Sequence, residues 1–191
     1  MNIGEYADGY LKGLSGAIEQ ITVEGLRKIT DILQEAYGRG RTIFIIGNGG
    51  SAATASHFAC DLGKGTACEG KPRFRVESLA DNNSLVTALA NDCGYERVFV
   101  EQLKGRSREG DVLIAISVSG NSPNVLEAVR YAGSSGLVTI GLVGKDGGSL
   151  AGMVDEKIVI GNDHFGIVED CHLIIEHIVS FFFKQKIASS P

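Results

Sequence analysis

Apolar residues along this chain follow two rhythms. Over residues 5–38 they recur every three or four positions, at Leu11, Leu14, Ile18 and Ile21, then at Leu26, Ile29, Ile32 and Leu33. That spacing predicts helices with one buried face, and Gly38-Arg39-Gly40 ends the second of them. Beyond it the rhythm changes to short apolar runs. Thr42-Ile43-Phe44-Ile45-Ile46 is the first, and it reads as a buried strand. Further strands are predicted over 74–79, 111–116, 138–143 and 157–160. Helices are predicted over 51–62, 84–90, 95–103, 123–136 and 167–187, with a short one after residue 148. Gly63-Lys64-Gly65-Thr66 is expected to break the first of these, and Pro123 fits an opening helical turn.

Strands that alternate with helices, several of them apolar without interruption, predict an α/β fold. The sheet is expected to be doubly wound, mostly parallel, five-stranded and covered on both faces. Neither a linker nor a repeat interrupts the pattern. The expectation is one domain over residues 1–191, with a helical segment at about 5–38 and a core at about 41–187. Ligands of such sheets bind at the carboxyl ends of the strands.

Composition narrows the classes. With 191 residues, 43% of them hydrophobic, the chain can bury a substantial core. A net charge of −5 argues against a broad nucleic-acid surface. No run of 18 apolar residues suggests a membrane span, and Met1-Asn2-Ile3-Gly4-Glu5-Tyr6 does not read as a signal peptide. Cys60, Cys68, Cys93 and Cys171 are scattered, without a C-x-x-C pair, which suggests reduced thiols in a cytoplasmic protein.

Two loops carry the candidate chemistry. After the first strand, Gly47-Asn48-Gly49-Gly50-Ser51 forms a glycine turn at the start of a helix. Backbone N–H groups and a hydroxyl there suit an anion, most plausibly a phosphate. The stretch is neither a Walker loop nor G-x-G-x-x-G, so the anion is expected to be part of a small substrate. After the third strand, Ser117-Val118-Ser119-Gly120-Asn121-Ser122 places three hydroxyls around another glycine turn. Either loop alone reads as ordinary turn and cap chemistry. Two of them at equivalent strand ends favour a phosphate site.

Other residues are suggestive only in combination. His57 and Asp61 share a helix face, as a metal half-site, an acid–base pair or a structural hydrogen bond; spacing alone favours the last. Glu169, His172, Glu176 and His177 cluster on an otherwise apolar last helix, where such groups need partners or a function. Asn91-Asp92 reads as a helix-ending turn or as a holder of sugar hydroxyls.

Together these segments resemble the sugar isomerase (SIS) domain and, within it, the phosphoheptose isomerases. The resemblance rests on the N-terminal helices, Gly47–Ser51, His57-Phe58-Ala59, Asn91-Asp92, Glu109-Gly110-Asp111-Val112-Leu113, Ser117–Ser122, Gly144-Lys145-Asp146-Gly147-Gly148 and His177. It implies a three-layer αβα sandwich and a homotetramer with sites at subunit interfaces. It also implies sugar-phosphate binding by Asn48, Gly49, Gly50, Ser51, Ser117, Val118, Ser119 and Ser122, with Asn91, Asp92 and Glu169 on the substrate. Asp61 stands where the family has its basic glutamate, and His177 is the partner histidine. Some members bind zinc through positions matching His57, Asp61, Glu169 and His177, where Glu169 replaces a glutamine. The expected activity is aldose–ketose isomerisation of a phosphosugar, sedoheptulose 7-phosphate first, through an enediol. The rivals are a non-catalytic module that binds a phosphosugar or a protein partner, and an isomerase for another phosphosugar.

Overall fold

A computed structural model describes residues 2–190. Helices α1 (Ile3–Ile18) and α2 (Val23–Gly38) precede the first strand, β1 (Thr42–Ile46). There follow α3 (Gly50–Cys60), β2 (Arg75–Ser78), α4 (Asn83–Cys93), α5 (Val100–Lys104) and β3 (Val112–Ser117). The chain ends with α6 (Pro123–Ser134), β4 (Val138–Gly144), β5 (Glu156–Ile160) and the long α7 (Phe165–Ser189).

The five strands lie in the order β2-β1-β3-β4-β5, all parallel. The expected α/β, three-layer arrangement follows from how each strand divides its side chains. Successive residues of a strand point to opposite faces. Ile43 and Ile45 of β1, with Ile114, Ile140 and Ile158, join the layer that includes Ile29, Leu33, Phe58, Val168 and Phe183. Phe44 and Ile46, with Leu113 and Val143, join Phe99, Leu103, Val125 and Val129 on the other side. The sheet is therefore covered by α1, α2, α3 and α7 on one face and by α4, α5 and α6 on the other. Continuous apolar runs were needed because both faces are buried.

Most differences from the sequence reading lie at element ends. The glycines at 63 and 65 do not stop the third helix at once; it widens into a π-helical turn over Asp61–Gly65. Such turns insert an extra residue into a helix and are frequent at functional sites. The stretch expected as one helix over 95–103 divides into a 3₁₀ turn at Tyr95–Arg97 and α5. Asn91 and Asp92 lie inside the last turn of α4, which runs on to Cys93. Among the described residues, no helix is long and apolar enough to cross a membrane.

Candidate active site

The glycine turn after β1 is shaped by close packing. A Cβ at Gly47 would lie 2.6 Å from the Ser51 carbonyl oxygen, so only glycine fits. Gly49, at φ +55°, occupies the position before α3, and no side-chain cap closes that helix. An uncapped helix N-terminus of this kind suits an anion. The second loop repeats the arrangement: Ser122 precedes Pro123 and α6, again without a side-chain cap bond. Ser117 Oγ lies 3.4 Å from Ser122 Oγ and accepts from the Gly120 N–H at 3.2 Å. Gly120, at φ +62°, packs on the carbonyl of Gly147, and the Ser149 N–H donates to Asn121 Oδ1 at 3.0 Å. The glycine-rich segment after β4 thus braces the serine loop from behind.

The two loops face each other across a cavity of about 150 Å³. Asn48, Ser51, Ser117, Val118, Ser119, Ser122 and Glu169 line it, with Ile116 and Phe165. The Asn48 side chain is already committed. It exchanges two hydrogen bonds with the Asn124 amide, at 2.9 and 2.8 Å, and accepts a third from the Tyr95 hydroxyl at 2.9 Å. Asn48 therefore locks one loop to the N-terminus of α6. Neither Asn124 nor Tyr95 stands out in the sequence, because the pairs span 76 and 47 residues.

Helices α3 and α7 run side by side in the same direction away from this cavity. At the near end Gly50 lies against Glu169, whose carboxylate a Cβ at Gly50 would strike. At the far end the rings of His57 and His177 meet edge to face, 5.0 Å between centroids. From Gly50 to His57 is seven residues, about 10 Å of helix axis.

The far end is a second cluster. Donor atoms of His57, Asp61, Glu176 and His177 all lie within 4.8 Å of one another. His57 Nε2 is 3.7 Å from Asp61 Oδ2, and His177 Nε2 is 3.3 Å from Glu176 Oε2. Four donors about 2.1 Å from one zinc ion in a tetrahedron stand about 3.4 Å apart, so small side-chain shifts would suffice. Side-chain exposures of 45% for His57, 27% for Asp61 and 41% for His177 leave the group open to a ligand, whereas Glu176 is wholly buried. Glu176 Oε1 accepts from Ser180 Oγ at 3.2 Å, but Oε2 has no hydrogen-bond partner among the described residues. Burial holds the Glu176 carboxyl above the ordinary range, and Asp61 adds to the shift against the opposing pull of His177, His57 and Ser180. An orphaned buried carboxylate oxygen beside two imidazoles and an aspartate is what a divalent cation would satisfy.

The expected metal residues are thus only partly gathered. His57, Asp61 and His177 come together. Within this chain Glu169 does not join them, because eight residues of helix carry it from His177 to Gly50 and the cavity. Asn91 and Asp92 do not line the cavity; Asn91 Nδ2 donates to Asp92 Oδ1 at 2.8 Å on an exposed stretch of α4. The remaining polar groups of α7 are structural. His172 is fully buried against the Val143 backbone, and burial pushes its pKa down to about 4. Asp170 accepts from the Tyr10 hydroxyl at 2.6 Å, tying α1 to α7 and, with burial, pushing the phenol pKa up to about 12.

Residues 5–144 match the model of the SIS domain family. A probable phosphoheptose isomerase of Thermoplasma acidophilum is 35% identical over 180 residues, covering 94% of this chain and 98% of that protein. The phosphoheptose isomerase of Mycobacterium bovis is 39% identical over 162 residues, covering 85% and 82%. The solved phosphoheptose isomerase of Neisseria gonorrhoeae superposes with a TM-score of 0.86 at 30% identity, covering 96% and 97%.

Proposed function

The chain belongs to the SIS domain family and, within it, to the phosphoheptose isomerases, and we propose that it interconverts sedoheptulose 7-phosphate and its aldose, heptose 7-phosphate, using the seam between α3 and α7. One observation carries this reading. A phosphate-sized cavity and a histidine–carboxylate cluster lie at the two ends of that seam, about 10 Å apart. An extended chain advances about 1.2 Å per single bond. From C1 to the phosphorus of a 7-phosphate there are eight bonds, about 10 Å. The phosphate can therefore rest at the near end while C1 and C2 reach the far end.

At the near end Ser51, Ser119 and Ser122, with the open termini of α3 and α6, hold the phosphate oxygens. Glu169 accepts hydrogen bonds from the sugar hydroxyls nearest the clamp. Asn91 and Asp92 remain as contacts to the outer hydroxyls. At the far end Asp61 removes a proton from C1 while His177 gives a proton to the C2 oxygen, and the enediol forms. The O1 hydroxyl then gives up its proton, C2 receives one, and the aldose results. His57, Asp61 and His177 are the residues that would hold a zinc ion. When bound it would polarise the carbonyl and hydroxyl oxygens and stabilise charge on the enediolate. A carboxylate has two oxygens, so Asp61 can serve as ligand and base.

The reading extends to the assembly. The exposed side chains of Ile178, Phe181 and Phe182 on α7, with Leu11 on α1, offer apolar surface for a homotetramer whose sites lie near subunit contacts. Four free cysteines fit the cytoplasm.

The test is direct. Purified protein given sedoheptulose 7-phosphate should yield the aldose by NMR. Asp61→Asn should lower kcat by about 10²–10⁴, the contribution of a positioned acid–base group, with an unchanged circular dichroism spectrum. Binding without turnover by the wild type would defeat the enzyme reading. Wild-type turnover by the variant would defeat the base assignment.

A further inference from the structure

Lys145 stands out twice, once for its backbone and once for its place. At φ +53° it is the one non-glycine residue in the left-handed region among the described residues. A Cβ makes that conformation costly, whereas glycine adopts it freely. The same segment uses glycine at its other two such positions, Gly147 at φ +89° and Gly148 at φ +52°. Strain of this kind gathers at functional sites, where the chemistry requires the residue.

The place is the edge of the cavity between the two loops. Ser117 pairs with Val143 in the sheet, and a Cβ at the following Gly144 would lie 2.6 Å from the Val118 carbonyl oxygen. Lys145 therefore leaves β4 beside the serine loop. Its Nζ lies 5.4 Å from the centroid of the Phe165 ring, and Phe165 lines the cavity. Lys145 also borders an open recess of about 780 Å³ with Asp146, Asp163 and His164. Among the described residues its ammonium forms no ion pair with either acid. Charge gives the position its use. The cavity wall carries an acid, Glu169, and among the described residues no basic side chain. The uncapped ends of α3 and α6 contribute about half a positive charge each, which Glu169 offsets. A phosphate monoester brings a further charge of about −1.5 to −2. Nothing in the wall compensates it, and the ammonium over Phe165 is a cation already placed at the edge.

Resting on the phosphosugar reading above, we propose that Lys145 is a specificity-determining residue that binds the substrate's phosphate, its ammonium resting on Phe165 until the cavity fills. Serine hydroxyls and backbone N–H groups fix the geometry of the phosphate oxygens, and Lys145 supplies the charge that favours a phosphate dianion over a neutral group. Lysine suits the part, because it is a compact charge on a flexible stem. The left-handed backbone at Lys145 is then the cost of carrying a cation where glycine would fit more easily.

The test separates charge from strain with Lys145→Gly, Lys145→Ala and Lys145→Arg. It reads turnover of sedoheptulose 7-phosphate and its inhibition by inorganic phosphate. Lys145→Gly should raise KM and the phosphate inhibition constant about tenfold, as for an ordinary charge-assisted contact, with little change in kcat. Lys145→Arg should keep both constants near wild type. Raising ionic strength from about 0.01 M to about 0.15 M should weaken phosphate more in the wild type than in Lys145→Gly. Strain reads in the melt: Lys145→Gly should melt no lower than wild type and about 2–4 °C above Lys145→Ala. The proposal is overturned if Lys145→Gly keeps the wild-type KM and phosphate inhibition, or if Lys145→Arg loses as much as Lys145→Gly. It is also overturned if Lys145→Gly loses affinity and melts below wild type, because the lysine would then belong to the frame of the loop. Each of these results leaves the isomerase reading intact. A wild type that binds neither sedoheptulose 7-phosphate nor inorganic phosphate would overturn that reading, and the role of Lys145 with it.

Discussion

His172 predicts how acid unfolds this protein. Its ring is fully buried, and burial lowers its pKa from 6.5 to about 4. In the unfolded chain the same ring takes up a proton as pH falls through about 6.5. Between these values the unfolded state binds more protons, so stability is whole above pH 6.5 and drains away as pH falls toward 4. The full loss is about 3 kcal/mol at about 1.4 kcal/mol per pKa unit. About 2 kcal/mol of it should be gone by pH 5, a large share of an ordinary domain's 5–15 kcal/mol. Glu176 works in the opposite sense: its raised pKa contributes stability at low pH that is lost as pH rises through the folded value. The comparison must therefore be differential. Urea unfolding of metal-free wild type and His172→Gln at intervals from pH 7 to pH 5 isolates the histidine. The wild type should lose about 2 kcal/mol more than the variant over that range. Parallel stability–pH curves for the two proteins would refute the assignment, because the buried ring would then be titrating as it does in the unfolded chain.

Two further substitutions probe the phosphate end. Asn124→Ala removes the partner that exchanges two hydrogen bonds with Asn48; a stability loss of about 1–3 kcal/mol and a raised KM with little change in kcat are expected from thermal melts and steady-state kinetics. Gly120→Ala places a Cβ into the Gly147 carbonyl at φ +62°; strain of about 1–3 kcal/mol should loosen the serine loop, and calorimetry should find sugar-phosphate binding lost while the α-helical circular dichroism signal persists.

The legibility of the chain followed the range of the forces involved. Strands β1, β3 and β4 could be read from the sequence because burial on both sheet faces demands unbroken apolar runs. The edge strands β2 and β5, with alternating exposure, gave weaker signals, and their ends shifted by a residue. The two glycine–serine turns were legible because glycine and serine answer to local backbone geometry. The π-turn at Asp61 was not, since two glycines in a helix usually mark its end. Asn48, Asn124 and Tyr95 meet only through tertiary packing, which no periodicity encodes. Glu176 was legible as one of the polar group on α7, but its convergence with His177 was not. Helical spacing groups residues three or four apart, so a carboxylate adjacent to His177 reads as facing elsewhere until the side chains themselves are seen to converge.

The seam between α3 and α7 also bears on selectivity. In the proposed reading α3 reaches both ends of the substrate, and the packing of Gly50 on Glu169 and of His57 on His177 fixes the register of α3 against α7. On that reading the helix between Gly50 and His57 sets most of the distance between phosphate and reacting carbons. A hexose 6-phosphate is one bond shorter, about 1.2 Å. With its phosphate seated, its C1 stops short of Asp61 by that amount, and a misplacement of about 1 Å can cost 10²-fold in rate. A cavity of about 150 Å³, taken as the phosphate site proposed above, cannot by itself tell the two sugars apart. Discrimination falls to the length of chain between the clamp and the carboxylate. If Asp61 is the base proposed above, its side chain, one methylene shorter than glutamate, also sets the reach required of the substrate.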